Sequence, residues 1–387
     1  MSLERYDVVV AGVGGMGSAA LLHLARRGAR VLGLERYDVP NAMGSSHGVT
    51  RIIRLAYFEA PEYVPLLRRA YELWGDLERV SGERLLVTTG CVDAGLPDSR
   101  VFAGAERAAR AHDVPVERFD ARELARRFPG FRLPDGFEAL LDPAGGFLLP
   151  ERCIVAHVEA ALALGAVVRA REGVLSWEAR ADGIHVRTER GEVVADRLVL
   201  SAGAWMEKLG AVPPGVLTPE RQALAWFQPH RPELFTPERC PVWIIETEEC
   251  GQFYGFPAYG IPGFKLGRMH HLEEAIDPDA FVREPGPRDE ALLRGFTERF
   301  FPEAAGPTMA LATCIFTNTP DEHFILDLLP ADERVVVVSP CSGHGFKFSS
   351  VVGEIAAELA LDGTTRHDIG FLRFGRYAST KSATTFR

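Results

Sequence analysis

The residues Gly12-Val13-Gly14-Gly15-Met16-Gly17 stand in the Gly-x-Gly-x-x-Gly spacing. That spacing allows a tight turn, lets backbone N–H groups approach a pyrophosphate and seats a helix close on a strand. A helix starting there points partial positive charge at phosphates. Glu35 follows 18 residues after Gly17, where a carboxylate can accept hydrogen bonds from ribose hydroxyls. A negative charge at that place disfavours a 2′-phosphate, so the expected ligand is NAD or FAD rather than NADP, and the loop does not decide between them.

A second set of candidates is cationic. Arg51 and Arg54 lie three apart, and Lys347 closes the run Ser342-Gly343-His344-Gly345-Phe346-Lys347. Taken alone, each arginine reads first as a solvated surface charge. Two fixed cations suit a carboxylate, because a guanidinium fixes orientation as well as charge. The 342–347 run falls between an apolar strand and a helix, where backbone N–H groups and the helix dipole can face a ligand. Cys314, at the end of an apolar run, reads by itself as a small buried hydrophobe. Lys265, in Gly263-Phe264-Lys265-Leu266-Gly267, reads by itself as an outward strand lysine. Only four of the 43 basic residues are lysines, so a lysine kept here suits a place that needs a compact ammonium.

These residues require particular elements around them. Residues 6–11 read as a buried strand, Ser18 to Arg27 as a helix and ARVLGLE as a second strand, one β-turn-α-β unit. A helix is expected over 61–80, strand material over 85–95, a polar helix near 121–128 and a helix through VAHVEAALALG. Strands follow around 166–195, then RLVLSAGAW, a hydrophobic strand ending in a small-residue turn. Residues 216–320, rich in proline, aromatics and short alternating runs, suit an antiparallel sheet. A strand over 334–340 and a helix over 349–361 flank the Lys347 loop. The fold class expected is α/β: a Rossmann-like dinucleotide domain (1–84, 146–215 and 322–387) and a discontinuous catalytic domain on an antiparallel or mixed sheet (85–145 and 216–321).

A chain of 387 residues exceeds the usual single core. The net charge of −10 argues against a nucleic-acid surface. Six cysteines without a C-x-x-C pair point to reduced thiols in the cytoplasm and to no structural zinc or other metal site. No apolar stretch reaches signal-peptide or membrane-spanning length, so no membrane is expected.

The runs GSSHGVTRIIRLAY, RLVLSAGAW, YGFP followed by FKLG, TCIFTNTPDEHFILD and CSGHGFKFSS together resemble the monomeric sarcosine oxidase and N-methyltryptophan oxidase family of D-amino-acid-oxidase-like flavoproteins. The likeness spans essentially the whole chain in order. It implies a monomer holding FAD at Gly12, Gly14, Gly15, Met16, Gly17, Glu35, Arg36, Ser45, His47, Thr50, Arg51, Gly203, Trp205, Gly343, Gly345, Phe346 and Lys347. The matching cysteine of the family is joined through sulfur to the 8α-methyl of FAD, which implies a covalent flavin at Cys314, with Cys341 its rival.

The likeness further implies that Arg54 and Lys347 hold the substrate carboxylate, that Arg51 lies over the flavin, and that the His344 loop stabilises charge at N1 and C2=O. Lys265 is implied to reach flavin N5 through a water and activate O2, and Tyr254 to line the substrate pocket. Three positions depart from the family: Val49 replaces an acid, Phe316 a tyrosine and Met269 a histidine. The pocket expected is therefore less polar than a sarcosine site.

The reaction implied is oxidation of a secondary (N-methyl) α-amino acid such as sarcosine by O2 to formaldehyde, a primary amino acid and hydrogen peroxide. L-Pipecolate, N-methyltryptophan or a fructosyl amino acid are alternative substrates on the same fold. An NAD-dependent dehydrogenase and a non-catalytic flavin- or nucleotide-binding protein are the competing readings.

Overall fold

A computed structural model describes residues 3–377; the end of the segment assigned to the dinucleotide domain, 378–387 with Lys381, lies outside the described residues. Strand Glu4–Ala11 runs through the middle of an eight-stranded sheet, parallel to Val31–Leu34 on one side and Gly191–Leu200 on the other. Val8, Val9, Val10 and Ala11 are almost wholly buried, as a parallel strand covered on both faces must be. Val167–Arg169 and Asp332–Ser339 extend the parallel part, and Val174–Arg180 with Gly183–Thr188 add an antiparallel ribbon. Helix Gly15–Arg26 packs between helices Pro150–Ala163 and Ser349–Asp362.

The second eight-stranded sheet runs, in spatial order, Thr308–Asn318, Thr218–Phe227, Phe264–Arg268, Gly251–Phe256, Val242–Thr247, Cys91–Gly95, Glu138–Asp142 and Glu117–Asp120. It is antiparallel except where Val242–Thr247 meets Cys91–Gly95 in parallel, so it is mixed. Arg51–Ile53, Gly146–Leu148 and Leu86–Thr88 form a three-stranded sheet of their own. The chain passes between the large sheets several times, as the pattern of the sequence implies.

Three details differ from expectation. The first helix starts at Gly15, not Ser18, because the glycine run itself forms its first turn. The strand material at 85–95 splits at Gly90, whose φ is +78°, and its halves join different sheets. Helices Arg100–Ala111 and Pro287–Phe300 were not anticipated. The second carries legible signals, proline at its first position with Asp289 and Glu290 after it. Its Phe296 stacks on Phe253 at 3.9 Å and on Trp243 at 5.8 Å, which places the helix on the mixed sheet. No helix among the described residues is long and apolar enough to cross a membrane.

Six histidines are buried in this interior, and four of them are shifted far below the free value. Burial lowers His23, His47 and His344 to about 4 and His157 to about 3. The unfolded chain binds these protons near pH 6.5 while the folded chain refuses them, so each histidine contributes stability above about 6.5 that is lost as pH falls toward 4. His270, raised to about 10 by hydrogen bonds to Glu220 and Glu322, acts oppositely but within the window above 6.5. We predict that the thermal midpoint falls between pH 6.5 and 5, above the range where ordinary carboxylates titrate. A flat midpoint over that interval would contradict it.

Candidate cofactor and substrate site

The glycine loop closes the C-terminal end of the first strand. Gly12 has φ +94°, and Gly17 lies so near that a methyl on it would fall 1.8 Å from the Gly12 carbonyl oxygen. Both positions therefore require glycine. At Gly14 a Cβ would meet nothing within 4 Å; this side opens onto a long cavity that Gly12, Gly14, Gly15 and Met16 line. Glu35 lines the same cavity, its two carboxylate oxygens accepting from the Val13 N–H at 2.9 Å and the Tyr37 N–H at 3.0 Å. Each oxygen keeps a lone pair for a further donor. Beyond it Arg36 pairs with Asp279 at 2.6 Å, and the Trp205 indole N–H donates to the same carboxylate at 2.8 Å.

The segment from Ser45 to Glu59 forms a wall of the cavity and is tied down at several points. Glu151, in the first turn of its helix, accepts from the Gly48 and Val49 N–H groups at 2.6 and 3.2 Å. Lys265 is buried and donates all three ammonium protons to this segment, to the Gly48 carbonyl at 2.6 Å and to the Thr50 carbonyl and hydroxyl at 2.9 Å. Burial, helped by Arg51, pushes the lysine well below its ordinary value. Val49 between these ties has φ +72°, a region costly for a β-branched side chain. Arg51 lines the cavity and donates to the Ser45 and Thr50 carbonyls at 2.8 and 2.9 Å.

Cys314 lies on strand Thr308–Asn318, opposite Gln222, in an apolar cluster with Leu224, Trp226 and Phe316. Burial raises its thiol, while Arg51 and Lys265 pull it the other way. The strand is joined to the 341–347 loop by the Ser342 N–H, which donates to the Thr317 carbonyl at 2.7 Å. In that loop Gly343 has φ +77°, and a side chain on it would strike the Phe316 ring. His344 accepts from the Tyr57 hydroxyl at 2.5 Å through Nδ1 and donates from Nε2 to the Glu322 carbonyl at 2.9 Å. It is therefore a neutral, fully engaged imidazole. Phe346 meets the glycine loop near Gly15.

Lys347 and Arg54 are both buried and both line the cavity. Lys347 donates to the His344 carbonyl at 2.7 Å, and burial together with Arg54 lowers it to about 7. Arg54 is ion-paired to Glu59 at 2.6 Å, with Asp93 at 3.5 Å behind it. Burial works against the charge of Arg54, but the two carboxylates keep the guanidinium above its ordinary value. Burial likewise opposes the Glu59 charge, and Arg54 outweighs it, holding the carboxyl below the usual range.

The structure thus brings together, around one cavity, the glycine loop, Glu35, Arg36, Ser45, Arg51, Arg54, Gly203, Trp205, Tyr254, Met269, Phe316 and residues 343–347. Gly17, His47, Thr50, Lys265 and Cys314 stand behind its wall rather than on it. Glu59, Glu151 and Asp93 were not foreseen. Asp93 carried the one available signal, an acid within the apolar strand Cys91–Gly95, every residue of which is buried.

Residues 7–359 match the model of the FAD dependent oxidoreductase (DAO) family. The chain is 42% identical to a protein of Streptomyces avermitilis named monomeric sarcosine oxidase, over 97% of this chain and 98% of the relative. It is 34% identical to the N-methyl-L-tryptophan oxidase of Salmonella dublin, over 97% and 100%. Among solved structures, NikD, described as an unusual amino acid oxidase essential for nikkomycin biosynthesis, superimposes with a TM-score of 0.83 at 30% identity, covering 96% of this chain and 97% of that one.

Proposed function

Because the chain belongs to the FAD dependent oxidoreductase family, we propose that it is a flavin-dependent oxidase of secondary α-amino acids, with sarcosine the simplest substrate. The observation that carries this reading is the pair of buried cations, Arg54 and Lys347, at one cavity that the glycine loop and Glu35 also line. A dinucleotide fits that arrangement: the open face of Gly14 admits its phosphates, and Glu35 has lone pairs free for ribose hydroxyls. When bound, FAD supplies a two-electron acceptor for the amine carbon and passes the electrons to O2, giving hydrogen peroxide.

The protein's own groups do the rest. Arg54 and Lys347 bind the substrate carboxylate, which must compete with Glu59 for the guanidinium. Arg51, which has no carboxylate within ion-pairing distance among the described residues, keeps its charge facing the cavity. His344 stays neutral and holds the 341–347 loop in shape. Lys265 provides a buried cation beside the same wall, where charge develops on reducing O2. Cys314 is the reading's point of covalent attachment, supported by the charges of Arg51 and Lys265, which partly offset the burial that raises its thiol.

Met269 and Phe316 line the cavity with apolar surface, which favours a second reading with larger or cyclic substrates such as L-pipecolate or N-methyltryptophan. In the same proposal the protein is a cytoplasmic monomer. Its dinucleotide domain comprises 1–84, 146–215 and 322–387, and its catalytic domain 85–145 and 216–321, a division supported by membership of the two large sheets.

Activity is tested with N-methylated and cyclic amino acids in a peroxidase-coupled assay; absence of peroxide with every one would reject the reading. Acid precipitation should leave the yellow colour in the protein pellet, and Cys314→Ala should release it to the supernatant; free colour from the wild type would reject the thioether. Arg54→Ala and Lys347→Ala should each weaken carboxylate inhibitors about thirty-fold to several thousand-fold, the cost of about 2–5 kcal/mol for stripping one partner from a desolvated charge pair. Unchanged inhibitor affinity would exclude the clamp. In Lys265→Met, stopped-flow reoxidation by O2 should fall at least about a hundredfold, or ~3 kcal/mol, with anaerobic reduction only modestly slower. Wild-type reoxidation would leave the lysine with its loop-holding role alone.

A further inference from the structure

One carboxylate beside this site has no hydrogen-bond donor. Asp93 is 1% exposed, and neither of its oxygens has a hydrogen-bond partner. The nearest cation is Arg54, whose Nε lies 3.5 Å away and is itself without a hydrogen-bond partner, while its terminal nitrogen is given to Glu59. Buried carboxylates ordinarily collect donors, so an orphan one next to a cation site calls for a physical reason.

The surrounding charges supply it. Facing Asp93 are Arg54 and Glu59 from the 51–59 segment, Lys347 from the 342–348 turn, Asp142 from the neighbouring strand and Cys91 from its own. Its partner on the other side, Ile244, brings no charge. Asp142 is already occupied by the N–H groups of Leu55, Ala56 and Ala144, and burial keeps the Cys91 thiol protonated. Four groups are left to adjust: two cations, Arg54 and Lys347, and two acids, Glu59 and Asp93. Together they balance, either with Asp93 and Lys347 both charged or with both neutral. A ligand carboxylate entering between the cations adds one uncompensated negative charge in a dry site, which is costly. One proton restores the balance.

Resting on the carboxylate clamp proposed above, we infer that Asp93 is the proton store of the substrate site, acting through Arg54: seating one ligand carboxylate on Arg54 and Lys347 is coupled to uptake of one proton by Asp93. Glu59 is the poorer acceptor because its ionised form has the 2.6 Å contact to Arg54, whereas the ionised form of Asp93 has no donor to lose. Burial, only partly opposed by Arg54, pushes Asp93 up to about 7, in the opposite direction from Glu59. An amino acid arriving as a zwitterion satisfies the balance itself. The proton lost from its ammonium equals the one Asp93 gains, and the nitrogen keeps the lone pair that oxidation needs. Asp93 is thus a positioning residue that sets the protonation state of the bound substrate without touching it.

The test uses the flavin-loaded enzyme and 2-furoate, a carboxylate without an amine. Calorimetric titration at pH 8 in buffers of different ionisation enthalpy should show uptake of about one proton per 2-furoate bound, and Kd should weaken about tenfold per pH unit above 7. Asp93→Asn, isosteric and neutral, should abolish most of the uptake and hold Kd nearly constant between pH 6.5 and 8.5; its flavin spectrum and thermal midpoint check the fold. Lys347→Arg, which keeps a cation that cannot change its protonation state, gives an independent arm in which uptake should persist. Binding to the wild type without proton exchange would overturn the inference and leave the clamp standing. Full uptake in Asp93→Asn, or its loss in Lys347→Arg, would overturn it in favour of the lysine as acceptor. No binding of 2-furoate at any pH would remove the clamp and this inference together.

Discussion

Two cations cannot be kept in an apolar interior without compensation, and Arg54 and Lys347 are both buried beside one cavity. Glu59 and Asp93 meet that demand in different ways, one by a short contact with Arg54, the other by proximity alone. The charge on Arg54 survives burial only because of them. Removing either acid would leave the guanidinium less well held, and adding a third anion without a proton would reverse the imbalance.

That balance in turn fixes what the 45–59 segment has to do. It carries Arg51, Arg54 and Glu59, and it lies between the two large sheets, belonging to neither. Its order comes from groups on separate elements: Lys265 on one strand, Glu151 in the first turn of a helix and Asp142 on another strand each take backbone groups of this one segment. Its residues 51–53 add strand pairing to 146–148. The left-handed conformation at Val49 persists because its surroundings determine it on both sides.

The other wall shows the same economy of parts. The cysteine strand is tied to the 341–347 loop, that loop packs on the glycine turn through Phe346, and the glycine turn is held by Glu35. A shift of one would be felt by the next, since packed contacts transmit displacement. Met269 and Phe316 give the cavity an apolar stretch.

The sequence by itself determined the parts that depend on local spacing. The glycine turn, its strand and helix, Glu35 and the strand-loop-helix around Lys347 are all short-range patterns, in which steric rules and hydrophobic periodicity act within a few residues. The family resemblance extended that to the whole chain and to a part of the residues that line the cavity. Helix Arg100–Ala111 was missed, and the region around it read only as part of a second domain. What only the tertiary structure decided was the pairing of charges. Arg54 with Glu59, Lys265 with residues 48–50, and Asp93 alone among them are meetings of residues up to 217 positions apart. Whether a charge is satisfied or orphaned depends on the dielectric and the donors around it in space, and neither is written in the neighbouring letters of the chain.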